Sequence, residues 1–179
     1  MEKLSKTLSL ETDLGEITID AVVQGTGLST ANLTLTKLDV QSGENVKNQQ
    51  AVLCRVIGTK HRSKIVFTAS LNTKLIGGSC TGQNLEAMEW ESSHSLVVVG
   101  TEDAESLNAR MPFLHLEEYE NIATYRASSL QIKLNELEPS HDIGLHFIVA
   151  ENPIPEPVEC SAWSAVNCSH QYLDRISRC

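Results

Sequence analysis

Gly78-Ser79-Cys80-Thr81-Gly82 is the segment of this 179-residue chain whose residue types come nearest to spelling a reaction. G-x-C-x-G is the form of a nucleophile elbow, in which glycines permit a strained turn that lifts the nucleophile clear of its surroundings. A helix over 84–90 would follow it, and its N-terminus would lower the thiol pKa. Cys80 is then the candidate catalytic residue of a small hydrolase or thiol enzyme. Gly78, Ser79, Thr81 and Gly82 are the candidate binding positions, since the same glycines could cradle a phosphate. The context argues the other way. An elbow needs a buried strand before it and a parallel sheet around it, whereas Lys74-Leu75-Ile76 is short and the flanking pattern is antiparallel. No Walker lysine accompanies the glycines. A plain Gly-rich turn is the simpler expectation.

Three thiols and an imidazole, Cys160, Cys168, His170 and Cys179, are a possible tetrahedral zinc set. Their spacing, C-x7-C-x-H-x8-C, lacks the C-x2-C knuckle. It also conflicts with a helical tail, where positions two apart point about 200° apart. Unligated thiols, and hence no cofactor, are the expectation. Ser140-His141-Asp142 is not a triad, because contiguous side chains diverge and cannot relay a proton in line. Those residue types belong in a turn. His146 alternates with Leu145 and Phe147 and is expected on the surface. Acids crowd Glu86-Ala87-Met88-Glu89-Trp90-Glu91 and recur at Glu102, Asp103, Glu105, Glu117, Glu118 and Glu120. Paired carboxylates bind metals or exchange protons, but the expectation here is solvated helix faces.

The elements that must position these groups are mostly strands. Apolar residues fall at every second position in Leu4 to Leu10, Ile17 to Val23 and Leu33 to Val40. A period of two puts one set of side chains on one face. Further strands are expected near Ala51 to Ile57, Ile65 to Leu71, Leu96 to Val99, Gln131 to Leu137 and Asp142 to Ala150. Turns rich in Gly and Asn separate them, as in a sandwich or barrel. Glu102 to Met111 is the clearest helix, with acids in its first turn, Arg110 in its last and Pro112 beyond. Leu116, Tyr119, Ile122 and Tyr125 suggest a second helix. After Pro153-Ile154-Pro155-Glu156-Pro157, an extended segment, the stripe Trp163, Val166, His170, Leu173 and Ile176 predicts a helix over 161–177, with Ser161 as its cap.

The expected fold is therefore mainly β, an antiparallel sandwich or open barrel of about eight strands with two or three short helices, α+β being the alternative. Residues 1–152 form one domain. Residues 153–179 form a proline-rich linker and a C-terminal helix that docks on an edge or open end of the sheet, closing it against aggregation.

Composition narrows the function classes. The net charge is −9, with 14 Lys and Arg among 23 acids. Lys60-His61-Arg62-Ser63-Lys64 is the one basic cluster, so nucleic acid is excluded as a partner. Aromatic residues are 4% of the chain, too few for stacking platforms. No run approaches ~18 apolar residues, which excludes a membrane helix. Met1-Glu2-Lys3-Leu4-Ser5 has no leader-like apolar core, so a cytoplasmic chain with reduced thiols is expected. The leading function is a soluble, non-enzymatic binding or interaction protein using a surface or cavity of a β scaffold. Its partner would be a protein, a small molecule or a second copy of the chain. An acidic inhibitor or immunity-type protein that covers a basic enzyme is one specific alternative.

Overall fold

In the computed structural model, residues 2–41, 43–58, 61–82, 84–117, 120–139 and 141–178 are described, with residues 31 and 135–137 described for the backbone alone. Among the described residues, eleven antiparallel strands form two sheets. The first sheet contains β1 (Glu2–Thr12), β2 (Gly15–Gly25), β5 (Ser63–Leu71), β10 (Ser129–Leu137) and β9 (Ala123–Arg126), in the order β1-β2-β5-β10-β9. The second contains β3 (Leu33–Asp39), β4 (Asn48–Val56), β11 (Ile143–Pro153), β8 (Ser95–Glu102), β7 (Leu85–Glu91) and β6 (Gly78–Gly82), in the order β3-β4-β11-β8-β7-β6. The mainly-β, sandwich-like expectation holds, with three short α-helices among the described residues.

Alternation creates the first sheet. Ile17, Ile19, Ala21 and Val23 of β2 are fully buried, while the residues between them are half-exposed. The β1–β2 turn closes at Gly15, whose φ of +128° suits glycine, and a Cβ there would meet the Asn72 carbonyl oxygen at 2.9 Å. These inward side chains meet Val97 and Val99 of β8 and Leu145, Phe147 and Val149 of β11 in the core between the sheets.

The second sheet has no solvent face along its central strands. Nearly every residue of β11 is buried. Its outward residues Ile148 and Ala150 join Ala51, Leu53, Leu85, Ala87 and Val98 in a second core. Covering that core are α2 (Ser161–Val166) and α3 (His170–Ile176), through Ala162, Ala165, Val166 and Leu173. The helix α1 (Ala104–Arg110) follows β8 directly and is capped by Asp103, whose carboxylate accepts from the Ser106 amide at 2.8 Å.

Several local expectations are corrected. No helix forms over 84–90: Asn84 is a turn residue and 85–90 lie in β7, and among the described residues there are eleven strands rather than about eight. Leu85, Ala87, Met88 and Trp90 are buried on alternate sides of the sheet, so packing on both faces overrode the helical signal. Among the described residues of 116–125 there is no second helix. A 3-10 turn at Pro112–Leu114 precedes that range, and the strand β9 occupies its end. The tail is two helices rather than one, broken at Asn167-Cys168-Ser169, where the Ser169 hydroxyl caps α3. Ser161 does not cap α2. Cys160 holds the cap position at φ +60°, and the Glu156 carboxylate reaches in to accept from the Ala162 amide at 2.8 Å. The tail covers a sheet face, not an edge. Lys60, Glu118, Tyr119, Ser140 and Cys179 lie outside the described residues.

Candidate functional site

Glycines on the outer face of the second sheet decide where the tail sits. A Cβ on Gly82 of β6 would strike the Trp163 ring at 2.4 Å, and one on Gly100 of β8 would strike Val166 at 2.7 Å. On Gly144 of β11 it would meet the His170 ring at 3.0 Å. Trp163, Val166 and His170 are three members of the apolar stripe legible in the sequence, and each fits a place where a strand lacks a side chain. Arg55 of β4 pairs with Asp174, and the Gln49 amide donates to the Ala165 carbonyl at 2.7 Å. These contacts fix α2 and α3 laterally.

The docking brings His170 onto two residues of the sheet. Ile148 of β11 pairs with Gly100 of β8. Two positions further along this antiparallel ladder, His146 and Glu102 face each other on the same outer side. His146 Nδ1 lies 3.1 Å from His170 Nδ1. Glu102 Oε2 lies 3.5 Å from the first nitrogen and 3.8 Å from the second. His146 is 1% exposed and Glu102 9%. Among the described residues this is the one group of three His, Cys, Asp or Glu whose ligand atoms all lie within 4.8 Å of one another.

Arg110, in the last turn of α1, holds the carboxylate. Its Nε donates to Glu102 Oε1 at 3.0 Å and its Nη2 to Oε2 at 2.5 Å, a two-pronged contact. Nη2 also donates to the Gly144 carbonyl at 2.6 Å. Burial, and then the Arg110 charge, push the His146 imidazole down to about 3 and the His170 imidazole down to about 4. Both rings are therefore neutral at physiological pH. Facing Nδ1 to Nδ1, they need one donor and one acceptor tautomer, or an electrophile between them.

A cleft of 320 Å³ opens beside the cluster, walled by Glu102, Arg110 and His170 together with Asn84, Ser106, Asn167, Ser169 and Gln171. A second cleft, of 540 Å³, lies on the Gly144 side of His170 and includes Arg55, Asp142, Asp174 and Arg178.

The positions singled out from the sequence fare differently. Gly78, Ser79, Cys80, Thr81 and Gly82 are not a turn. They form β6, the extended edge strand paired with β7. Burial and the neighbouring Glu89 carboxylate push the Cys80 thiol up to about 12, the reverse of nucleophile activation. Cys160 is exposed and Cys168 packs beside the second core, and neither shares the His170 cluster. His141 stacks on Phe113 with ring centroids 4.2 Å apart, and Asp142 accepts from the Gly58 amide at 2.7 Å. Of the acids, Glu86 lies in a strand and accepts from the Tyr125 hydroxyl. His146 is not on the surface, and Glu102 is not a solvated helix acid. Both are buried because α1, α2 and α3 cover that end of the sheet. A signal was available: the residues sharing a face with His146, namely Gly144, Ile148 and Ala150, carry no charge.

A scan of protein-family models and searches of curated proteins and of solved structures found no match to this chain.

Proposed function

We propose that the protein is a non-enzymatic binding protein whose β scaffold holds one divalent first-row transition ion, zinc foremost, between Glu102, His146 and His170. The observation that carries this is the spacing of the three ligand atoms. A tetrahedral ion with bonds of about 2.0–2.1 Å holds its ligands about 3.3–3.4 Å apart. The three edges here are 3.1, 3.5 and 3.8 Å. Movements of a few tenths of an ångström would close the set on an ion.

The electrostatics support the same choice. Metal ligation needs neutral imidazoles, and both rings are neutral at pH 7. Two nitrogens and one oxygen suit zinc or another borderline ion better than calcium or magnesium, which take oxygen ligands. Each carboxylate oxygen has two acceptor sites. Arg110 uses one on each, so Oε2 keeps one for an ion while the guanidinium fixes the carboxylate's orientation.

Zinc titration of the full chain by calorimetry, with metal content measured after gel filtration, tests this. One zinc per chain is expected. His170→Ala should weaken binding by about a hundredfold or more, and His170→Cys, which restores a ligand, should recover much of it. Equal zinc binding by the native chain and His170→Ala would overturn the proposal.

A further inference from the structure

We infer that the ion's fourth position is taken by an oxyanion, a carboxylate or phosphate of a small molecule seated in the 320 Å³ cleft. The inference rests on the metal reading above. Three protein ligands leave a tetrahedral ion one open position. The cleft shares Glu102 and His170 with the ligand set, and Arg110 with the residues that orient it. Its volume suits a small ligand.

Charge selects the class of ligand. Glu102 and Arg110 cancel each other, and an imidazole that ligates an ion does so in its neutral form. The two positive charges of a bound ion would then stand uncompensated beside buried protein, which is costly. Glu102 is the one acid on the cleft wall among the described residues, so the chain supplies no further negative charge there. The remaining polar side chains, Asn84, Ser106, Asn167, Ser169 and Gln171, bear amides and hydroxyls, which donate to oxyanions without adding charge. The 540 Å³ cleft offers a poorer seat. Its arginines Arg55 and Arg178 are both paired with Asp174.

Cobalt(II) replaces zinc in such a site and reports its coordination by visible absorption. The full chain would be loaded with cobalt(II) and titrated with inorganic phosphate, then separately with acetate. A parallel titration would use the double variant Asn167→Asp, Gln171→Glu, which turns two exposed cleft amides into carboxylates of the same shape. The inference expects the cobalt spectrum to change saturably with at least one of the two anions. In the double variant the midpoint should rise by about tenfold or more, the effect of about 1.4 kcal/mol of repulsion, with cobalt affinity kept or increased. A cobalt spectrum that neither anion alters, or a midpoint unmoved in the double variant, overturns the oxyanion and leaves the metal reading standing. No cobalt spectrum in the native chain overturns both.

Discussion

The two sheets are made of the same kind of strand and meet opposite surroundings. The first keeps one face on the core and one toward solvent, and its strands alternate buried and half-exposed. The second is buried on both faces where β11, β8 and β4 run, because α2 and α3 lie across it. The polar residues on the outer face of the first sheet, such as Thr18, Asp20 and Gln24, sit in or near water and need no organisation. A polar residue on the outer face of the second sheet is enclosed and must find partners. Glu102 and His146 do so, with Arg110 and His170. The candidate site is thus a consequence of covering a face that still carries polar groups.

Removing the cover should produce the largest effect. A chain ending at residue 152 exposes Ala51, Leu53, Val98, Ile148 and Ala150 together. A large fall in melting temperature and strong binding of a hydrophobic dye are expected. A truncated chain that melts like the native one would erase the distinction between the sheets.

Leu173→Ala thins the cover without removing it. Leu173 is fully buried in the second core. A loss of about 2–5 kcal/mol is expected in denaturant unfolding, as for other buried leucines.

Acid should attack the covered face next. The folded-state values of His146 and His170, about 3 and about 4, lie below the value of about 6.5 for an unfolded chain. The unfolded chain therefore binds more protons, and stability falls as pH drops below about 6.5. In metal-free protein the loss between pH 7 and pH 5 should be of order a few kcal/mol. His170→Gln should flatten that slope, and an unchanged slope would remove His170 from the buried set.

Gly100→Ala probes the fit of α2. The added Cβ meets the Cβ and a methyl of Val166 within 2.8 Å, and neither is the end of a flexible chain. A cost of about 1–3 kcal/mol is expected. Val22→Thr, on the outer face of the first sheet, should change stability by about 0.5 kcal/mol or less. Similar costs for the two substitutions would mean that the two outer faces do not differ.

Strands were legible where one face is wet. Leu33 to Val40 and Ile17 to Val23 carry a period of two that no helix shares, and β3 and β2 lie there. β6, β7 and β9 were not legible. Glu86 and Glu89 lie three apart, on opposite faces of a strand whose neighbours bury both sides, and the acids around Met88 imitate a helix turn. The helix α1 was legible from its acidic start, Arg110 in its last turn and Pro112 beyond, because these are local signals, although Asp103, read there as part of the first turn, is its cap.

The sequence by itself determined the strand-rich architecture, the helix after β8 and the stripe of Trp163, Val166, His170 and Leu173. Each follows from interactions within a few residues or from a repeating pattern. Only the tertiary structure decided that Glu102, His146 and His170 meet. They are 44 and 24 residues apart in sequence. Their meeting depends on the pairing of β8 with β11 and on an imidazole settling over the missing side chain of Gly144. Sheet partners are chosen by the packing of the whole sandwich rather than by any local preference, so no spacing in the sequence announces the site.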